Sequence, residues 1–524
     1  MLGLELVVTL GLAVLAGNLI GHRFRVAPPI LLLAIGVLLW FIVPLRSVHL
    51  PPQAVLLLFL PPLLYWGSFT TPLRGIRRDL RGILATSTVL VIVTAAAVAG
   101  AAHLLGLPWG PAWVLGAAVA PTDATAVTAL ARMLPNRDVT LLRAESLVND
   151  GTALVVYGVA VGITVGNEHF SLPHIGWLFV VAYLGGSASG ALVAWLVVRV
   201  RRRLDDPFLI NVAIILTPFA AFLLAEEIGA SGVLAAVVAG LIMSQAAPRM
   251  GRADARRQTD DFWSLSTFLL NASLFVLVGL ESQSAVRNLT SISIPRAVVA
   301  VGVVVLVLVA VRMAFLFGSA YALGHIDRRL NPEAAHLSNR SRVVIGVAGF
   351  RGAVSLAAAL AIPETLATGD PFPDRDTIIF ITAGVIAVTV VAQGLLLPAV
   401  VRWAQLPRDN TLKQERRLAE TLATKTVLAE LPKVAAELGV EKEVAERLER
   451  EYTEQLLTLS APDDDPAIRH DQQYAKLRLA MLSRKRAIAI KLRDERRIDD
   501  TVLRQIQATL DIEEVRLAQR QRTE

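Results

Sequence analysis

The chain has 524 residues, 54% of them hydrophobic, and a formal net charge of +7. That content is too apolar for a soluble globular protein, and the absence of cysteine excludes disulfides, thiolate metal sites and cysteine nucleophiles. No lysine precedes Lys413 and the charged residues crowd after Pro407, so a polytopic membrane domain over residues 1–408 and a soluble tail over 409–524 are expected.

Apolar runs long enough for a hydrocarbon core of about 30 Å lie at residues 3–20, 29–43, 53–70, 83–105, 111–131, 145–165, 174–198, 207–225, 231–247, 262–280, 296–324, 343–363 and 377–402. These thirteen spans predict an all-α membrane protein. The first run lacks a basic flank on its N-terminal side and leads straight into further spans, so it reads as a helix that stays. Arginines fill alternate short loops: Arg23/Arg25, Arg74 to Arg81, Arg132 to Arg143, Arg199 to Arg203, Arg249 to Arg257 and Arg328 to Arg342. The loops between hold chiefly Arg46, Arg287 and Arg375. By the positive-inside rule the N-terminus is expected outside and the C-terminus in the cytoplasm; the expected location is the cell's inner (plasma) membrane. The basic charge therefore reports topology and not nucleic-acid binding.

An odd number of spans permits spans 1–6 and 8–13 to be inverted repeats joined by span 7. Span 5 is interrupted by Pro121-Thr-Asp123, and span 12 by Gly349-Phe-Arg-Gly352. Paired broken segments in corresponding places point to a transporter site at the midplane. The halves show no clear sequence identity, so the symmetry rests on topology.

Span 6 opens on Glu145-Ser-Leu-Val-Asn-Asp150. A carboxylate at the bilayer centre costs about 2.5–3.5 kcal/mol on insertion scales, which marks an ion pathway. Helical spacing puts Glu145 with Asn149, and Ser146 with Asp150, on adjoining faces. Asp150 can bind a bare cation or a proton but not both, and that competition is the simplest exchanger. Pro121 frees backbone carbonyls, which with Thr122, Asp123 and Thr125 supply oxygens that hard cations prefer. Asp123 either coordinates directly, caps a half-helix or holds Asn149. Arg312 in span 11 needs a negative partner, for which Glu145 is the first candidate; Arg351 faces half-helix carbonyls or Asp123. Asn18, Asn211 and Asn271 suit helix–helix contacts. No Walker loop, dinucleotide fingerprint or zinc motif occurs.

Residues 409–524 read as four helices, Leu412–Leu438, Val440–Leu459, Ile468–Leu492 and Thr501–Gln521. Gly439 is a stop, Pro462 to Pro466 a linker, and Asp499/Asp500 an N-cap. Val502, Ile506, Leu510 and Val515 trace an apolar face.

Pro121-Thr-Asp123, Glu145-Ser-Leu-Val-Asn-Asp150 and Phe350-Arg-Gly-Ala-Val-Ser-Leu356 resemble, in order and in placement, monovalent cation:proton antiporter family 1. That family holds bacterial sodium/proton antiporters and animal sodium/proton exchangers. The resemblance implies that Asp150 binds cation and proton in turn, with Asn149 as its neutral partner. Thr122 and Ser146 would add oxygen ligands, Asp123 would order the site, Glu145 would pair with Arg312, and Arg351 would be the arginine of the broken helix. It further implies a homodimer in lipid, no cofactor, and sodium (or lithium or potassium) and protons as cargo. An elevator-like core of spans 4–6 and 11–13 would move against a dimerisation domain. Asn-Asp in place of two acids implies electroneutral exchange. The family often has Pro-Val after the Thr-Asp, where this chain has Ala124 and Thr125, which bears on ion selectivity. Competing readings are a gated cation channel and a membrane sensor with the tail as its output. No motif names a regulator of the tail.

Overall fold

Proline and capping residues set the helix ends that the apolar runs leave open. The computed structural model describes residues 2–24, 26–42, 52–123, 134–166, 171–249, 253–287, 289–330, 338–349, 351–406, 411–460 and 466–523. The chain separates into two compact units, Met1–Arg408 and Asp409–Glu524.

In the first unit the helices are α1 (Leu2–Phe24), α2 (Pro28–Leu39), α3 (Pro52–Thr70), α4 (Leu80–Leu104), α5 (Trp109–Val119) and α6 (Asn136–Val165). They continue as α7 (Pro173–Arg201), α8 (Pro207–Glu227), α9 (Gly232–Ala246), α10 (Ala253–Arg287) and α11 (Ile294–Leu330). The broken pair α12a (Asn339–Val347) and α12b (Ala353–Leu360) follows, and then α13 (Arg375–Ala404). A short helix, Leu73–Arg78, precedes α4. Among the described residues there is no strand, only an isolated bridge between Thr365 and Pro371.

Local chemistry explains the boundaries. Asp206 accepts from the Phe208 amide at 2.7 Å ahead of α8, and Ser231 and Ser338 accept from the amides of Leu234 and Ser341. α6 ends on Gly166, whose φ of 92° suits a residue without Cβ.

Eight helices are long and apolar enough to cross a membrane, namely those in α1, α4, α6, α7, α8, α10, α11 and α13. Apolar helices also form α2, the Leu57–Thr70 part of α3, α5 and α9, which are shorter. Span 5 is helical to Val119 and non-helical over Pro121–Asp123, while span 12 is two short helices. Large side chains such as Leu4, Leu12 and Leu19 on α1, Trp195 on α7 and Leu306 on α11 stay exposed. An apolar exterior of this extent belongs against lipid tails.

Close glycine crossings hold the bundle, those of α2 with α10 and α9 with α3 among them. A Cβ at Gly36 would lie 2.1 Å from Val276 O, and one at Gly279 would lie 2.1 Å from Leu33 O, so α2 and α10 touch backbone to backbone. Gly240 of α9 meets Ser68 Oγ and Tyr65 O of α3 in the same way. Small residues at helix contacts are how membrane bundles pack. Asn211 joins α8 to α10 through Gln258 and Thr259. Asn18 instead donates to Val14 O of its own helix, and Asn271 makes no side-chain hydrogen bond among the described residues.

The second unit holds α14 (Thr411–Leu438), α15 (Lys442–Ser460), α16 (Pro466–Asp494) and α17 (Asp500–Thr523). Gly439 takes φ 65° after α14, and Asp499 accepts from the Thr501 amide at 2.7 Å to start α17. Leu503, Leu510 and Leu517 are buried on α17, and the latter two pack on Leu482 of α16 beside Ile506. Ile506 and Leu510 of the expected face pack there, while Val502 is 40% exposed and its neighbour Leu503 is buried instead.

Candidate ion site

Two helix breaks cross beside α6. Arg351, 3% exposed, donates from Nε to Val119 O at 2.9 Å and from Nη1 to Gly349 O. Val119 ends α5 and Gly349 follows α12a, so one guanidinium serves the carbonyl ends of two half-helices, where positive charge is favoured. Asp123 sits at the opposite pole. A Cβ at Gly352, the residue that starts α12b, would fall 2.0 Å from Asp123 Oδ2. The carboxylate therefore lies against a helix N-terminus, and the crossing requires glycine there. Gln393 of α13 also donates to Gly349 O, at 3.3 Å.

Glu145 is buried on α6 and meets Arg312 of α11 in a forked pair, Nη1 to Oε1 at 2.6 Å and Nη2 to Oε2 at 3.2 Å. Arg312 Nε donates to Ile345 O of α12a at 3.2 Å. Thr122 carries the network onward. Its Oγ1 donates to Glu145 Oε1 at 3.3 Å and accepts from Asn149 Nδ2 at 2.7 Å, and that amide also donates to Thr122 O at 3.3 Å. Asn149 Oδ1 is buried without a hydrogen-bond partner among the described residues. Thr122, Glu145, Asn149, Arg312 and Arg351 line one side of a cavity with room for about one water; Thr86, Leu90, Val91 and Thr94 of α4 line the other.

Asp150 is 6% exposed, and its carboxylate makes no hydrogen bond or ion pair among the described residues. Asp123 is close enough to act on it electrostatically. Ser146 is half-buried a turn earlier on the same helix. Oxygen donors of three kinds (carboxylate, amide and hydroxyl) thus gather where two breaks meet a continuous helix, the donor set of a hard monovalent cation. Ala124, Thr125 and Phe350 lie outside the described residues.

Four further residues join the site. α4 contains a π-helical turn over Ala85–Val89, and α7 another over Val181–Gly185. Between them Thr152, two residues past Asp150, donates to Ser87 O at 2.7 Å. Tyr183 OH lies 2.5 Å from Thr152 Oγ1 and 3.2 Å from Thr88 Oγ1. These hydroxyls tie spans 4, 6 and 7 together one helical turn from Asn149, and π-turns of this kind recur at functional sites. Threonine and tyrosine are too common in apolar spans to draw notice; Gln393, an amide inside an apolar run, was the available signal.

Half-helices crossed at their breaks, with a buried carboxylate beside the crossing, define a membrane ion transporter. Residues 10–403 match the family described as sodium/hydrogen exchanger, transmembrane. An uncharacterized Na(+)/H(+) exchanger of Mycobacterium tuberculosis is 44% identical, over 98% of this chain and 96% of its own length. A sodium, potassium, lithium and rubidium/H(+) antiporter of Bacillus pumilus is 30% identical, over 79% of this chain and 62% of its own. The solved sodium proton antiporter of Methanocaldococcus jannaschii shares the fold, with a TM-score of 0.59 and 20% identity over 77% of this chain and 99% of that one. The chain belongs to the sodium/hydrogen exchanger family.

Proposed function

We propose that this protein exchanges a monovalent cation, sodium first and lithium or potassium as further cargo, for a proton at Asp150. The observation that carries the reading is the buried Asp150 carboxylate, without a hydrogen-bonding neighbour among the described residues, one residue from the Asn149 oxygen that likewise has none there. The names of its relatives, sodium/proton exchangers and antiporters, support the same cargo. A bare carboxylate takes either a cation or a proton, and each displaces the other. Thr122, Asn149 and Ser146 contribute neutral oxygens, while Glu145 with Arg312 holds Thr122, and through it Asn149, in position.

In this reading the eight long helices, the four short ones and the broken α12 pair make thirteen crossings, with α1–α6 inverted against α8–α13. In this scheme α4–α6 and α11–α13 carry the ion and move against the remaining helices, which form the contact of a homodimer. The arginine-rich loops put the N-terminus outside and residues 409–524 in the cytoplasm as a regulatory domain, in the inner (plasma) membrane.

With a single titrating carboxylate the bundle carries the same net charge under either load, so exchange is electroneutral. Proteoliposomes with an imposed pH gradient and sodium, lithium or potassium outside test the exchange itself. Adding a clamped potential of about 100 mV, worth about 2.3 kcal/mol per charge moved, should drive no net flux in the absence of ion gradients. Potential-driven flux would refute the one-for-one ratio.

A further inference from the structure

α6 and α13 run in opposite directions. The Ala367 amide, in the loop before α13, donates to Val165 O at the end of α6 at 3.1 Å. At the other end, Val139 and Leu142 of α6 share an apolar cluster with Leu397, Val401 and Ala404 of α13. Both helices are 30 residues long. Both also start on one signature, Pro135-Asn-Arg-Asp138 and Pro373-Asp-Arg-Asp376. Identity too sparse to notice over whole spans therefore survives at this point of each half.

Each signature fastens the same kind of link. At the start of α6, Arg137 Nη2 lies 2.7 Å from Asp79 Oδ1, and its Nε donates to Oδ2 at 3.3 Å. Asp79 stands between the Leu73–Arg78 helix and α4, on the link from α3 to α4. At the start of α13, Asp376 accepts from the amide and hydroxyl of Thr290 at 2.7 and 3.0 Å. It also accepts from the amide and hydroxyl of Ser291 at 2.9 and 2.6 Å. Those two residues lie on the link from α10 to α11. When α1–α6 is matched to α8–α13, the α3–α4 link corresponds to the α10–α11 link and α6 to α13. The bonding side chain is the arginine in one signature and the aspartate in the other, but the tie joins equivalent places. Arg375 meanwhile turns to Leu360 O and Ile362 O past the end of α12b.

We infer that Arg137–Asp79 and Asp376–Thr290/Ser291 are equivalent fastenings, one at each end of the bundle, that hold both links to the ion-carrying helices and confine the pivot to the α3 and α10 sides. The inference rests on α4–α6 and α11–α13 being the moving part. A link held by a forked charged pair, or by four bonds to one carboxylate, does not flex at that point. The fastenings therefore travel with the bundle and stay closed throughout the cycle.

The cysteine-free sequence permits a direct test by placed pairs. Asp79→Cys with Arg137→Cys is bridged by a short reducible bifunctional thiol reagent, and Ser291→Cys with Asp376→Cys by oxidation. Gly67→Cys with Leu147→Cys is the control between α3 and α6, since a Cβ at Gly67 would lie 3.2 Å from Leu147 Cδ2. Sodium/proton exchange in proteoliposomes is measured before bridging, after it and after reduction. Each unbridged fastening pair should run severalfold below wild type and bridging should return it to within about twofold of wild type, while the control bridge lowers exchange more than about tenfold, reversibly. Loss of exchange on bridging a fastening, with the control also blocked, overturns the inference. A control bridge that leaves exchange intact overturns the moving-bundle reading beneath it. Should a cysteine pair fail to fold, Asp79→Asn and Asp376→Asn answer by another route. Each should lower the maximal rate severalfold at unchanged half-saturating sodium, and a wild-type rate or an altered half-saturation counts against the fastening.

Discussion

Glu145 and Asp150 stand about a turn and a half apart on α6, both buried, and their surroundings are opposite. Glu145 is gripped by Arg312 at 2.6 Å and by the Thr122 hydroxyl. Asp150 has no hydrogen bond among the described residues, and its electrostatic neighbour is another acid. Burial alone does not make a carboxylate functional. A buried acid with a forked arginine is already neutralised and serves as structure, whereas one without a partner has capacity left for an arriving cation or proton.

The largest effect should come from the unpartnered acid. Asp150→Asn keeps an oxygen but cannot take up a proton, so exchange in vesicles should vanish across pH 6–9. The melting temperature should not fall, because no partner is orphaned. Wild-type exchange by this variant would remove Asp150 from the mechanism. Glu145 should behave in reverse. Glu145→Gln or Arg312→Gln leaves a buried charge uncompensated and should cost on the order of 3–5 kcal/mol. The double change should cost far less than the sum, in a thermal-stability cycle. Additive losses would show that the pair contributes nothing as a pair. The smallest effect belongs to the hydroxyl network. Tyr183→Phe removes two interhelical bonds, to Thr152 and Thr88, and should cost about 0.6 kcal/mol for each. Thr152→Val strands Ser87 O and should cost about 1–3 kcal/mol. Equal losses would mean that Tyr183, not the carbonyl, holds the π-turns together.

The charged half of the site is legible in sequence because an ionisable residue in an apolar run has no bland explanation. Glu145, Asp150, Arg312 and Arg351 stand out for that reason. Which arginine faces Glu145 is not legible, since the choice depends on how α11 and α12a are turned, and no local pattern encodes that. The structure puts Arg312 there and turns Arg351 to carbonyls, one of them at Val119 in the other half of the chain. The helical class follows from apolar run lengths, and the breaks in span 5 and span 12 are legible in Pro121-Thr-Asp123 and Gly349-Phe-Arg-Gly352, where the structure leaves the helix. The tail shows the ordinary error of periodicity. Ile506 and Leu510 lie on the packed face as the stripe predicts, but Val502 and Leu503 both fit a helical stripe and only burial in the fold chooses Leu503.

The crossed breaks have a consequence for coupling. Arg351 balances the carbonyl ends of α5 and α12a, and Asp123 lies against the amide end of α12b, so the crossing is electrically complete without cargo. Arg312 cancels Glu145. Two guanidiniums then face three carboxylates, and the surplus negative charge is that of Asp150. An empty bundle would have to carry this charge through the apolar barrier, at about 2.5–3.5 kcal/mol or more, while a bundle holding either cation or proton would not. If α4–α6 and α11–α13 move with Asp150 as the carrier, this charge count would itself discourage idle return, and such an antiporter would resist leak without a gate.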